Sequence, residues 1–414
     1  MLTVEEALDQ ILSRVRPLPT ERVPLMNALG RALAETVVSA REIPPWANSS
    51  MDGYAVRAGD TTAAPTRLTV VGTITAGAMP SRAIGAGEAM RIFTGAPLPA
   101  GADAVVPQED TDAAAGHVTL KTAVTRGAYV RPRGEDLRVG DVVLQPGTAL
   151  GAAEIGLLAT LGRAQVLVHR RPRVAILSTG NELAELGREP GPGQIPNTNS
   201  YSLFAQVLEA GAEPMNLGIA ADRLESIEER LRWGGAADVL LSSAGVSVGD
   251  LDLVKSALTR AGAELHLWQV SMRPGKPITF GSLAERPVFG LPGNPASAMV
   301  TFELFVRPAL RRMAGFSAIY RLRLRARALA PIANPGSRRG YLRVTLERDG
   351  ETLDGHGPSR STGWSARLTG DQGSAILTSM VRADGLAVVA GDTTVAKGDD
   401  VEVIVFRDVA LSSL

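Results

Sequence analysis

Three turns rich in Gly, Ser and Pro, each placed directly after a short apolar run, constrain this chain most. The runs are Val174–Leu177, Val239–Leu241 and Val288–Leu291. The turns are Ser178-Thr179-Gly180-Asn181-Glu182, Ser242-Ser243-Ala244-Gly245-Val246-Ser247-Val248-Gly249-Asp250 and Leu291-Pro292-Gly293-Asn294-Pro295. Helix-like segments follow each. A repeated strand, turn and helix predicts a parallel α/β sheet. Such a sheet places the C-terminal ends of its strands on one edge, where open α/β sheets bind ligands. Small residues there let backbone N–H groups approach an anion.

Flanking patterns set the remaining architecture. Residues 3–16 and 23–40 carry helical apolar spacing, the second through Leu25, Ala28, Leu29, Leu33 and Val37-Val38. Short β-like runs then alternate with glycine turns: Leu68–Val71, Ala89–Phe93, Ala104–Pro107 and Val142–Leu144. Inside the α/β block, helices are predicted at Tyr201–Ala210, from Asp222 to about Arg232 through a capping-box spacing, at Leu251–Ala261 and at Ala296–Met313. Gly211 and Gly262 are the expected C-caps. Beyond Ala314-Gly315 the runs Leu322–Ala326, Tyr341–Leu346, Leu386–Ala390 and Val401–Phe406 predict a β domain.

The expected fold class is multidomain α/β plus β. An N-terminal helical and linker domain is discontinuous (1–44 and 140–171). It is followed by a small β-rich domain (45–139), a central parallel α/β domain (172–318) and a C-terminal β-barrel-like domain (319–414).

Composition removes several function classes. The 414 residues carry 43 basic and 43 acidic side chains, so bulk charge offers nothing to nucleic acid or a membrane surface. Cysteine is absent, which excludes disulfides, thiolate metal sites and Cys nucleophiles and suits a reducing cytoplasm. The four histidines, His117, His169, His266 and His356, all lie outside the three turns, which argues against His-based catalysis. The first residues read as a helix start, and no apolar run reaches the length of a membrane span.

The chemistry available at the turns is that of hard oxygen. Glu182 ends the first turn, and Asp250 and Asp252 end the second. Ser178, Thr179, Ser243 and Ser247 surround them. Such groups suit Mg²⁺ and oxyanions, and the same residue types also cap helices. For Asp250 alone capping is favoured; for Glu182 with Asp252 a ligand role is. Met272-Arg273-Pro274-Gly275-Lys276-Pro277 supplies two cations in a rigid turn, either an anion clamp or solvated charge. Pro292-Gly293-Asn294-Pro295 precedes a helix N-terminus near Ala296, a natural anion site, although Pro and Gly more often make a plain rigid turn. On local pattern alone Asp52, in Asp52-Gly53, and Asp136, in Gly134-Glu135-Asp136, are turn residues.

In order and spacing these strings resemble the molybdopterin molybdotransferase (MoeA-like) family, to which the gephyrin E domain is similar. The carrying strings are Asn48-Ser49-Ser50-Met51-Asp52-Gly53-Tyr54-Ala55-Val56-Arg57, Arg91-Ile92-Phe93-Thr94-Gly95-Ala96, Arg133-Gly134-Glu135-Asp136, Ser178-Thr179-Gly180-Asn181-Glu182-Leu183, Gly245-Val246-Ser247-Val248-Gly249, Arg273-Pro274-Gly275-Lys276-Pro277 and Leu291-Pro292-Gly293-Asn294-Pro295. The resemblance covers essentially the whole chain. It implies a cytoplasmic transferase that inserts molybdate into adenylylated molybdopterin with Mg²⁺ and releases AMP, the last step of molybdenum cofactor synthesis.

It further implies catalytic roles for Asp52, Thr94, Asp136, Glu182, Asp222 and Asp252, with Glu182 and Asp252 on the metal. Substrate contacts would come from Ser178, Thr179, Gly180, Gly245, Ser247, Gly249, Arg273, Lys276, Pro292, Gly293, Asn294, Pro295, Arg343 and Ser374. The resemblance implies an elongated homodimer in which the β-rich domain of one subunit faces the α/β block of the other. The adenylyltransferase and molybdoenzyme maturation proteins are candidate partners. The alternatives within this fold are a catalytically weak paralogue or scaffold, and a tungstate-preferring enzyme. Three departures stand out: Gln269 where some members carry lysine, Ala244 for a common glycine, and Trp46-Ala47 for a common Phe-Asp.

Overall fold

The computed structural model describes residues 1–243, 253–348 and 363–406. The chain forms two compact units, one of Met1–Glu35, Pro146–Ile155 and Gln165–Leu414, the other of Thr36–Gln145 and Gly156–Ala164.

The first unit is built on a six-stranded sheet: β1 (Arg173–Thr179), β2 (Glu213–Ala220), β3 (Val239–Ser243), β4 (Glu264–Gln269), β5 (Pro277–Leu283) and β6 (Arg286–Leu291). Their spatial order is β2-β1-β3-β6-β5-β4. The first four are parallel, as the repeated turns predict. The sheet as a whole is mixed, because β5 runs antiparallel to both β6 and β4. The tight turn that reverses the chain between β5 and β6 holds Ala284 at φ 49° and Glu285 at φ 65°. Two successive left-handed residues make the turn that matches strand twist, and glycine or asparagine usually occupies it. Ala-Glu carries no such signal.

Alternation along β1 sends its side chains to two cores. Val174 and Ile176 join Leu203, Leu241, Phe289, Phe302, Phe305 and Leu310 on one face. Ala175 and Leu177 join Leu217, Ile227, Leu258 and Val288 on the other. Fully covered parallel strands read as continuous apolar runs, which is why these were visible in the sequence.

Helix α1 (Val4–Arg14) begins at a capping box: Thr3 Oγ1 accepts from the Glu6 N–H at 3.1 Å, and Glu6 Oε2 accepts from the Thr3 N–H at 2.8 Å. The further helices α2 (Thr198–Glu209), α3 (Leu224–Trp233) and α4 (Leu253–Arg260) cover the sheet. Gly211 and Gly262 follow α2 and α4 at φ 86° and 88°, as C-caps should. Two expectations fail. The segment 23–40 is not a helix: Thr20–Pro24 pairs with Gln165–His169, and Val37–Val38 pairs with Val142–Leu144. Pro24, and Gly30 at φ 72°, interrupt the helical spacing that Leu25, Leu29 and Leu33 imitate. Nor does Asp222 cap α3. The helix starts behind Arg223 without a side-chain cap.

The expected helix over Ala296–Met313 is present but not uniform. Pro295–Thr301 is α-helical, Phe302–Val306 winds as a π-helix, and Arg307–Met313 is α-helical again. Pro308 explains the change, since its ring lacks an N–H and crowds the carbonyl four residues earlier; widening the preceding turn relieves both. Glu303 and Arg307 are thereby buried at 7% exposure each. Arg321 closes on Glu303 with Nε 2.9 Å and Nη2 3.2 Å from its carboxylate. Gln206 completes the set, its Nε2 donating to Glu303 Oε1 at 3.1 Å. Burial, with Arg321 nearby, pushes the Arg307 guanidinium down to about 10.

The C-terminal strands close a barrel. β7 (Arg323–Ala328), β8 (Arg339–Arg348), β9 (Trp364–Leu368), β10 (Gly385–Val389) and β11 (Asp400–Val405) run in the order β8-β9-β7-β11-β10, and β10 pairs back onto β8. Closure removes free edges from a small sheet.

The second unit carries a sheet ordered Ala104–Pro107, Gly53–Val56, Glu88–Ile92, Thr66–Ile74, His117–Leu120 and Thr111–Ala114. Gly53 is required there, because a Cβ would collide with the Val106 carbonyl.

Removing one member of a buried charge cluster strands the others. Glu303→Ala should therefore cost about 3–5 kcal/mol, against about 1 kcal/mol for the exposed cap change Thr3→Ala. Denaturant melts of the two variants check the ranking.

Candidate active site

The chain leaves β1 for β2 on one side and returns to β3 on the other. Between such strands lies the crevice where doubly wound sheets take ligands. A pocket of about 560 Å³ opens there, lined by Thr179, Glu182, Asn197, Asn199, Ser243 and Gly293–Pro295 among others. Thr179 ends β1, Ser243 ends β3, and Gly293 follows β6. The first and third turns singled out by the sequence therefore meet with Ser243, and residues 244–250 of the second turn lie outside the described residues.

A network of short polar side chains fixes the floor. Asn197 caps α2, its Oδ1 accepting from the Ser200 N–H at 3.3 Å. Ser178 is wholly buried beneath, its hydroxyl 3.2 Å from Asn197 Oδ1 and 2.8 Å from Ser200 Oγ. Asn199 spans the crevice: its Nδ2 donates to Ser243 Oγ at 2.8 Å and to the Gly293 carbonyl at 2.7 Å. A carbonyl only accepts, so this contact fixes the amide's orientation. The Asn199 Oδ1 is then buried without a partner among the described residues. Asn197 and Asn199 were missed as site residues, although Asn197-Thr198-Asn199-Ser200 before an apolar helix is a recognisable cap signal.

Glu182 lines the next wall, and Gly180 and Asn181 lead the chain into it. Gly180 sits at φ 143°, and a Cβ on it would strike the Glu182 carboxylate. Asn181 and Asp222 hold each other reciprocally: the Asn181 N–H donates to Asp222 Oδ2, and the Asp222 N–H to Asn181 Oδ1, both at 3.1 Å. The Glu182 carbonyl accepts from the Ile195 N–H at 2.7 Å. No hydrogen-bond donor among the described residues engages its carboxylate, which lines the pocket. The chemistry suits a hard cation.

The opposite rim is held by the loop after Leu368. Ser374 accepts twice, through Oγ from Asn294 Nδ2 at 2.9 Å and through its carbonyl from the Ala296 N–H at 3.1 Å. The helix end at Ala296, read from the sequence as an anion site, is thus partly occupied: Pro295 has no N–H, and that of Ala296 is spent on Ser374. Arg343 lies in β8 and is fully buried. Its guanidinium is pushed down to about 10, chiefly by burial, with Asp371 opposing and Arg273 adding to the shift. Arg273 donates through Nη1 to the Pro335 carbonyl at 3.3 Å. The Lys276 carbonyl accepts from the Val270 N–H at 2.9 Å. Pro292 follows β6 directly.

Gly245, Ser247, Gly249 and Asp252 lie outside the described residues. Among the described residues no group of three or more His, Cys, Asp or Glu side chains has the geometry of a metal site.

In the second unit Asp52 and Thr94 meet. Asp52 Oδ1 accepts from the Thr94 N–H and hydroxyl, both at 2.8 Å. These bonds, helped by Arg91, hold the Asp52 carboxyl below its usual range. Arg91 is itself fixed, 5.1 Å from both the Tyr54 and Phe93 ring centres and bonded to Gln108. Asp136 is exposed, its N–H donating to the Ile43 carbonyl at 2.9 Å.

A depressed folded-state carboxyl pKa favours the ionised form, an effect present at neutral pH and lost as pH falls through that lowered value. Thr94→Ala removes the hydroxyl bond but keeps the N–H. The Asp52 titration, followed by carboxyl-carbon NMR, should move up part of the way to the ordinary value. An unmoved titration would show that the hydroxyl contributes nothing.

Residues 2–162 match the family model of the MoeA N-terminal region (domains I and II), residues 175–312 that of a probable molybdopterin binding domain, and residues 325–406 that of the MoeA C-terminal region (domain IV). A molybdopterin molybdenumtransferase from Nostoc sp. is 40% identical over 93% of this chain and 88% of its own length. Molybdopterin molybdenumtransferase 1 of Mycobacterium tuberculosis is 39% identical over 84% of this chain and 87% of its own. A solved molybdopterin biosynthesis MoeA protein from Pyrococcus horikoshii superposes with a TM-score of 0.82 at 30% identity, covering 98% of this chain and all of the other. With its fold, its pocket and these likenesses in agreement, the chain belongs to the molybdopterin molybdenumtransferase family.

Proposed function

We propose that this protein transfers molybdenum from molybdate to the dithiolene of adenylylated molybdopterin, with AMP as the leaving product. The observation that carries this reading is the pocket at the β1–β3 switch point, set within a chain alike along nearly its whole length to molybdopterin molybdenumtransferases. The amino end of α2 faces it through Thr198 and Asn199 and offers the partial positive charge that phosphate oxygens seek. Glu182, with Asp252, would hold Mg²⁺, which when bound neutralises phosphate charge. Thr179, Gly293 and Asn294 line the walls, and Gly180 makes the turn between Thr179 and Glu182. Asp52, Thr94 and Asp136 are functional groups of the second unit, with Asp52 ionised at neutral pH. The lack of cysteine supports a reducing, cytoplasmic setting. No helix among the described residues is long and apolar enough to cross a membrane.

A homodimer is part of the proposal. Tyr201, Phe204 and Leu208 stand at i, i+3 and i+7 on α2 and are 41%, 36% and 54% exposed. A stripe of that kind supports a helix-mediated contact with a second copy.

Purified protein given adenylylated molybdopterin, Mg²⁺ and molybdate should release AMP and yield cofactor that activates a molybdoenzyme apoprotein. No AMP release from intact protein would overturn the reading. Gly293→Val should weaken substrate binding by about tenfold or more, because a side chain blocks the backbone's approach; calorimetry reads this directly. Leu208→Glu should shift the sedimentation coefficient from dimer to monomer.

A further inference from the structure

We infer that Arg343 is a positioning residue of the pocket, acting on its rim through Gly373 and Ser374 without touching substrate. The inference rests on the function proposed above for what the pocket binds, but its geometry stands on contacts within the molecule.

Arg343 belongs to the barrel wall and is 0% exposed. Its Nη2 donates to the Gly373 carbonyl at 2.9 Å, and its Nε to Ser379 Oγ at 3.0 Å. Ser379 in turn donates to the Ile376 carbonyl at 2.6 Å. The backbone is used as well. The Arg343 N–H donates to Gln372 Oε1 at 2.7 Å, and Gln372 Nε2 to the Arg343 carbonyl at 3.2 Å. One residue thus ties down both ends of the 372–379 turn. The remaining Nη1 is also sealed from solvent and has no partner among the described residues. No face of the guanidinium is open to a ligand.

What the turn delivers is the pocket rim. Ser374 receives Asn294 Nδ2 and the Ala296 N–H, and Ala375 lines the pocket itself. The path from barrel to pocket is therefore Arg343, Gly373, Ser374 and then Asn294 with Ala296. A buried guanidinium is costly to desolvate, and its planar fork fixes two acceptors at a set spacing as an ammonium does not. That geometry explains an arginine here in terms of shape, not charge offered to substrate.

The test uses the full-length protein with Arg343→Lys, Ser374→Ala and the double variant. Arg343→Lys should raise KM for adenylylated molybdopterin about tenfold with kcat within about threefold, the pattern of lost ground-state positioning. Because Arg343 acts through Ser374, the double variant should be no worse than Arg343→Lys to within about twofold. Multiplying effects would place Arg343 on the substrate and overturn the inference.

Hydrogen exchange gives a readout independent of activity. In Arg343→Lys the Ala296 amide should lose protection about tenfold while β10 amides such as Ala387 stay within about twofold. An unchanged Ala296 amide, or an equal loss in the barrel, would refute the positioning role even if the substrate were misassigned. Should Arg343→Lys fail to fold, Gln372→Ala cuts the turn's other tie and must raise KM in the same direction. Absence of substrate turnover in wild type, with Ala296 responding as stated, would count against the proposed function alone.

Discussion

The carboxamide of Asn199 is the contact on which the pocket depends. Three strand ends approach one another at the carboxyl edge, but nothing in a parallel sheet fixes the loops beyond them. Asn199 does so by spending both amide hydrogens on neighbours from different strands, Ser243 at the end of β3 and Gly293 after β6. Asn197 secures Asn199 in turn, by capping the helix that bears it. A charged side chain in that position would need a counter-ion, and an apolar one would leave the Gly293 carbonyl short of a donor. An amide gives both neighbours a donor without adding net charge beneath the pocket.

A second constraint sits at the far end of the helix that follows Gly293. Pro308 forces the π turn, and the π turn carries Glu303 and Arg307 inward to meet Arg321 and Gln206. The cluster joins α2, the long helix and the segment leading to the barrel. Local backbone chemistry at one proline therefore decides where a buried charge group can form, and that group fixes the chain's path into its C-terminal domain.

Much of this was legible in the sequence, for definite reasons. β1, β3 and β6 are covered on both faces and read as unbroken apolar runs. The barrel strands read as β runs from their Val, Leu and Ala content, although their burial does not alternate: Gly340–Val344 is buried at every position. Other features were hidden by residues serving unexpected purposes. Ala284-Glu285 turns a hairpin without the glycine that would announce it, so the antiparallel part of the sheet was invisible. Leu25, Leu29 and Leu33 imitate a helix in a segment that pairs as strands. Asp222 has the spacing of a cap but is held by Asn181 instead. Arg343 illustrates the deepest limit: a charge in a β run reads as an exposed position or a ligand contact, and only the packed fold shows it buried.

The carbonyl of Ser374 at the Ala296 N–H has a consequence for the shape of recognition. Two helices begin at this pocket, and each has one N–H of its amino end answered from outside the helix. On the Ala296 side the acceptor is a backbone oxygen brought by a loop of the C-terminal domain. On the α2 side the acceptor is Asn197, a residue of the turn that leads into the helix. The two walls are therefore held from different places, one by a cap within its own strand–helix turn and the other by the C-terminal domain, so a substitution in the barrel reaches the cavity from one side first.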